Sequence, residues 1–101
     1  MGMGFIQIID LPTSEPSAID RLVETWVGSS DGRRSATRAT FAADLGRPGC
    51  FVQVVEFPSA EAAARNSLLP ETVEFAKRLA GACDGPPLYR DLEVRRVYDL
   101  S

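Results

Sequence analysis

Phe5-Ile-Gln-Ile-Ile-Asp-Leu-Pro-Thr-Ser-Glu15 recurs 46 residues later as Phe51-Val-Gln-Val-Val-Glu-Phe-Pro-Ser-Ala-Glu61. Four positions are identical, and six of the other seven are close swaps such as Ile for Val and Asp for Glu. Each copy is rich in β-branched residues and stops at a proline, which brings no N–H to a ladder and so ends a strand. Both copies read as a strand that hands over to a helix, and the chain as two β-α-β halves.

After the first copy, Ser17 is the expected helix cap, with Asp20 three residues on as in a capping box. Ile19, Leu22, Val23, Trp26 and Val27 follow at i, i+3, i+4, i+7 and i+8, one apolar stripe, until Gly28-Ser-Ser-Asp-Gly32 breaks it. A second strand is expected over about 35–45, with Thr37, Ala39, Phe41, Ala43 and Leu45 on one face. Arg47-Pro48-Gly49-Cys50 has proline second and glycine third, the requirement of a type II turn, so the second and third strands form a hairpin. After Pro58, Ser59 caps a short Ala-rich helical segment ending near Asn66-Ser67. Pro70 opens a further helix with Val73, Phe75, Ala76, Leu79, Ala80 and Cys83 as its apolar positions, stopped by Gly85 and Pro86-Pro87. The last strand is expected over about 92–100.

The order βαββαβ with right-handed crossovers places the third strand between the first and second, in a four-stranded antiparallel sheet with the helices on one face. The first and third strands are apolar on both faces: Phe5 and Ile9 against Ile6 and Ile8, Phe51 and Val55 against Val52 and Val54. Helices cover one face. The other would expose an apolar patch on the order of several hundred Å², more than soluble monomers usually carry. The simplest cover is the same face of a second copy, so a homodimer through sheet faces is expected.

A length of 101 residues suits one domain, 1–101. No apolar run approaches the ~18 residues of a membrane span, and the uncharged start, Met1 to Gly4, is unlike a signal peptide. A cytoplasmic protein is expected. Cys50 and Cys83 are too few for a disulfide framework and read as reduced packing residues. A net charge of −3 gives no footprint for nucleic acid or an anionic membrane. The chain has no histidine, which removes the commonest metal ligand, the usual haem ligand and the commonest general base. Neither a metal nor a cofactor is expected.

Arg47-Pro-Gly-Cys-Phe51, Val55-Glu-Phe-Pro-Ser59, Asn66-Ser67, Pro70-Glu-Thr72, Gly85-Pro-Pro87 and Asp91-Leu-Glu-Val94 together resemble the small actinobacterial proteins of the antibiotic biosynthesis monooxygenase-like group. That resemblance covers residues 35–100. It implies an α+β fold, a ferredoxin-like sheet paired with a second copy into a dimeric α+β barrel, with a cavity between each sheet and its helices. It also implies a cofactor-independent monooxygenase or tailoring enzyme for a small aromatic or polyketide-like substrate. The haem-degrading relatives of that fold rely on an axial histidine, which this chain lacks. The alternative is a non-catalytic homodimeric module that binds a small hydrophobic molecule or only assembles.

Six residues are candidates for ligand binding, each with a structural alternative; no catalytic residue is singled out. Trp26 would line the cavity or fill the core. Gln7 and Gln53 hold equivalent places in the repeat, and a buried amide without partners costs about 1–3 kcal/mol, so each should bond to the other, across a dimer or to a ligand. Asn66 either joins two helical segments or offers an amide to a substrate anion. Arg38, of the cluster Arg33, Arg34 and Arg38, either lies on a solvated edge or, on the helix side, meets an acidic group. Tyr89 closes over the cavity or packs. Asp10 and Glu56 read as strand-end carboxylates meeting water or an arginine.

Overall fold

The two copies of the repeated phrase become the two central strands of one sheet. The computed structural model describes residues 4–101; the sequence start read above, Met1 to Met3, lies outside the described residues. The elements are β1 (Phe5–Pro12), α1 (Pro16–Ser29), β2 (Arg38–Ala43), β3 (Cys50–Phe57), α2 (Ala60–Ser67), α3 (Pro70–Gly81) and β4 (Leu88–Glu93). The sheet is antiparallel in the order β2-β3-β1-β4, as expected, and β1 and β3 pair over their whole lengths, from Phe5 opposite Phe57 to Pro12 opposite Cys50.

Residues opposite one another in a ladder share a face, and burial identifies the helix side. Ile9 and Leu11 pack there against Ile19 of α1 and Leu79 of α3, with Phe41, Phe51 and Phe75 around them. Val55, Phe57 and Ala62 form a second cluster under α2. Leu11, Ile19 and Leu79 are fully buried, each contributing about 1.5–3 kcal/mol by leaving water. The Arg47–Cys50 turn has the expected form: Gly49 adopts φ +83°, and the Cys50 N–H bonds to the Arg47 carbonyl at 3.0 Å. Ser59 caps α2 by accepting the Ala62 N–H at 3.1 Å, and Pro70 opens α3.

Four boundaries differ from the sequence reading. Ser17 does not cap α1: the helix begins at Pro16, where a missing N–H costs least, and the residue before it makes no side-chain cap. Thr13, buried in the preceding turn, accepts the Glu15 N–H and donates to the Ala82 carbonyl, both at 3.0 Å. β2 is shorter than expected, Arg38–Ala43. α3 ends at Gly81, four residues before Gly85, because the Asp84 N–H is drawn to the Pro12 carbonyl at 2.8 Å. β4 lies at Leu88–Glu93 rather than over 92–100. Its partner β1 ends at Phe5, and the last contact is Val94 N–H to Gly4 carbonyl at 2.9 Å. Beyond it Val97, Tyr98 and Leu100 pair with no strand among the described residues and are exposed.

The opposite sheet face carries Ile6, Ile8, Val52 and Val54, half-buried, with Leu88 and Leu92 exposed beside them. Its charged groups are paired. Asp10 is 7% exposed and receives Arg47 at 3.4 Å and Arg90 at 3.5 Å; Glu56 meets Arg38 at 3.8 Å. The expectation that these two carboxylates meet arginines holds. No helix among the described residues is long and apolar enough to cross a membrane.

Candidate functional site

Between the sheet and the helices lies an apolar cavity of about 60 Å³. β1 and β3 contribute Gln7, Ile9, Gln53, Val55 and Phe57, α1 contributes Val23 and Trp26, α2 Asn66, α3 Thr72, Phe75 and Ala76, and β4 Tyr89. Five of the six sequence candidates therefore meet here: Gln7, Gln53, Trp26, Asn66 and Tyr89. Arg38 does not. It stands opposite Glu56 in the β2–β3 ladder, so it shares the apolar, helix-free face and forms its ion pair there.

The two glutamines prove unequal. Gln7 donates from Nε2 to Asp91 Oδ1 at 3.2 Å, a partner on β4 directly opposite it. Gln53 is 2% exposed, and among the described residues its Oε1 has no hydrogen-bond partner. Its ladder neighbours are Ile9 and Phe41, neither of which can donate from a side chain. Of the partners read from the sequence, the two glutamines are not bonded to each other: Gln7 takes Asp91, and the Gln53 oxygen takes no partner among the described residues. Since Gln53 faces the helices, a second copy packed on the other sheet face is out of its reach. What lies open to that oxygen is the cavity, where a water or another donor group would satisfy it.

Asn66 is buried in the last turn of α2, and its Oδ1 accepts the Ser35 N–H at 3.3 Å, tying α2 to the segment before β2. The α2–α3 junction is closed instead by main-chain bonds from Leu68 and Leu69 to Arg65 and Asn66. Trp26 is 6% exposed; its Nε1–H donates to Thr72 Oγ1 at 3.0 Å, and its ring lies 6.0 Å from that of Phe75. The Arg34 guanidinium sits 5.8 Å from the Trp26 ring while donating to the Val27 carbonyl at 2.6 Å, so it closes the C-terminus of α1. Arg33 pairs with Glu71. Burial, and then the nearby Cys83 sulfur, raise the Tyr89 phenol above its ordinary value; as a neutral phenol it can donate a hydrogen bond. Cys83 is likewise raised, chiefly by burial, and is a poor nucleophile there.

The cavity thus offers amide and phenol groups in an apolar lining, with no carboxylate among its walls. It can hold and polarise an anion or a hydroxyl, but it supplies no general base. Its volume is well below the ~300 Å³ of ordinary ligand sites. Of the lining residues outside the sequence candidates, Thr72 and Phe75 matter most, because they hold Trp26. Thr72 carries no signal of its own, since its bond to Trp26 spans 46 positions. Phe75 was legible only as an apolar helix position.

By sequence, no family model and no curated protein matches this chain. Solved structures do match in fold. SnoaB, a cofactor-independent oxygenase from Streptomyces nogalater, superposes with a TM-score of 0.77 over 96% of this chain and 97% of its own, at 10% identity. A monooxygenase from the gene ActVA-Orf6 of Streptomyces coelicolor, in complex with nanaomycin D, gives 0.74 over 98% and 94%, at 21% identity. A Caulobacter crescentus protein assigned to the antibiotic biosynthesis monooxygenases gives 0.78 over 94% and 92%, at 7% identity. The ferredoxin-like βαββαβ fold is therefore that of these proteins.

Proposed function

We propose that this chain is an oxygenase that works without a cofactor on a small aromatic or polyketide-like molecule held between the sheet and the helices. The observation that carries this reading is the buried Gln53 oxygen left without a partner in the apolar cavity. A phenolic hydroxyl would satisfy it, Tyr89 and the Asn66 amide nitrogen would donate to the anion, and Trp26 and Phe75 would flank the ring. With a hydroxyanthrone as the substrate, its phenolic hydroxyl donates to Gln53, and loss of a proton from the ring methylene carbon to water gives an enolate. The enolate adds dioxygen, the peroxide anion takes a proton back from water, and the hydroperoxide loses water, so hydroxyanthrone and dioxygen become hydroxyanthraquinone and water. Such an acidic carbon needs little help from a base, in keeping with the lining. The motifs of residues 35–100 are what support placement in the actinobacterial subgroup, and we take residues 1–101 as one domain and the cytoplasm as its location. The apolar sheet face of Ile6, Ile8, Val52 and Val54 supports a homodimer through that face; sedimentation as a monomer at micromolar concentration would overturn it.

The small cavity and the missing base favour a second reading, a non-catalytic homodimeric module for small-molecule binding or assembly. Oxygen uptake with a hydroxyanthrone separates the two. Protein-dependent uptake that Gln53→Leu abolishes supports the oxygenase. Hydroxyanthrone binding without oxygen consumption supports the binding module, and neither binding nor uptake removes the ligand pocket from both.

A further inference from the structure

Trp26 and Phe75 line two spaces at once. On one side is the inner cavity; on the other is a groove of about 270 Å³ between α1 and α3, bounded also by Leu22, Thr25, Glu71 and Arg78. The two rings, tilted by 36°, form the partition between them. Among the described residues, one side-chain hydrogen bond holds the indole, that from Nε1–H to Thr72. Glu71, next in sequence to that latch, has a side chain only 7% exposed. Its Oε2 is paired with Arg33, while its Oε1 is buried with no partner among the described residues. Each space therefore has, just behind its wall, a buried acceptor that no described residue satisfies: Gln53 at the inner cavity and Glu71 at the groove.

We propose that the α1–α3 groove is the outer chamber of the binding site and that the Trp26–Phe75 pair is its movable partition. The ligand is a planar aromatic molecule with a hydroxyl or amino group that donates to Glu71. This rests on the reading of the inner cavity as a ligand pocket. With the rings displaced, cavity and groove join into a space in the ordinary range for ligands, about 300–1,000 Å³. The displaced rings exchange their mutual contact for stacking on the ligand. The half-paired carboxylate selects a donor, because a ligand without one would leave Oε1 as poorly placed as before.

The single tryptophan makes the proposal directly observable, because the ¹⁵N-labelled chain has one indole N–H resonance. Addition of 1-naphthol should shift both that resonance and the Gln53 side-chain amide. It should bind roughly tenfold tighter than 1-methoxynaphthalene, which has no donor. Glu71→Gln should shrink that preference at least about threefold, and Thr72→Val, by releasing the latch, should tighten binding of both probes about threefold. Should Thr72→Val fail to fold, Phe75→Leu thins the same partition and carries the same expectation. A shifted Gln53 amide with a still indole, and no effect of Thr72→Val, would overturn the gate while the pocket stands. Equal affinities for the two probes would overturn the role of Glu71. No shift at any residue would overturn the gate and the pocket together.

Discussion

The first and second copies of the repeated phrase share a backbone and differ in what surrounds them. Both form eight-residue strands that end at the same kind of proline boundary and lie side by side in the sheet. Yet β1 has β4 as its outer neighbour and β3 has β2. The residue opposite Gln7 on its outer side is Asp91, and the residue opposite Gln53 is Phe41. The same amide is satisfied in one half and stranded in the other. The acidic positions split the same way: Asp10 is enclosed by two arginines, while Glu56 shares a looser contact with Arg38. A repeated sequence sets repeated strand geometry, and the chemistry of each copy is decided by the unrepeated strand beside it.

Substitutions at paired positions break or sharpen this comparison. The largest effect is expected where both copies are alike. Leu11 and Phe57 are equivalent and buried in separate clusters. Leu11→Ala should lose about 2–5 kcal/mol and Phe57→Ala about 3–5 kcal/mol in urea unfolding. A loss under about 1 kcal/mol at either site would mean that its cluster is not a real core. Next comes the glutamine pair, where the copies should diverge. Gln53→Leu removes an unsatisfied buried acceptor and should stabilise by about 1–3 kcal/mol while destroying ligand binding. Gln7→Leu gives up the bond to Asp91, worth about 0.5–1.5 kcal/mol, and should gain correspondingly less. Equal shifts at the two sites would erase the distinction. The smallest contrast is at the helix starts. Ser59→Ala should cost about 1 kcal/mol as a lost cap, whereas Ser17→Ala, at an exposed helical position, should stay within about 0.5 kcal/mol.

What was legible in the sequence depended on local chemistry. The Pro48-Gly49 turn, the Ser59 cap and the proline at the start of α3 each act within a few residues, and each was read correctly. The strand order followed from the repeat and the handedness of crossovers. β4 was misplaced because an extended pattern near the C-terminus carries no sign of where its partner strand stops. The faces of Gln7, Gln53 and Arg38 were unreadable for a related reason. β1 and β3 are apolar on both sides, so alternation does not distinguish the covered face, and β2 alternates too loosely to say where Arg38 points. The grouping of Gln53, Asn66 and Tyr89 with Trp26 is tertiary, drawn from five elements together with Gln7, and no spacing along the chain encodes it.

The central place of β1 has a consequence for the order in which the molecule is built. It precedes the other three strands of the sheet in the chain, yet its partners lie at residues 50–57 and 88–93. The β2–β3 hairpin can close across its own tight turn, whereas β1 must wait for distant chain on both sides, and such long-range pairing folds slowly. Until β4 docks, one edge of β1 and both its apolar surfaces are open to other nascent chains. A chain cut after Gly85 should therefore leave that edge of β1 open and aggregate, because the strand that shields it is the last of the four.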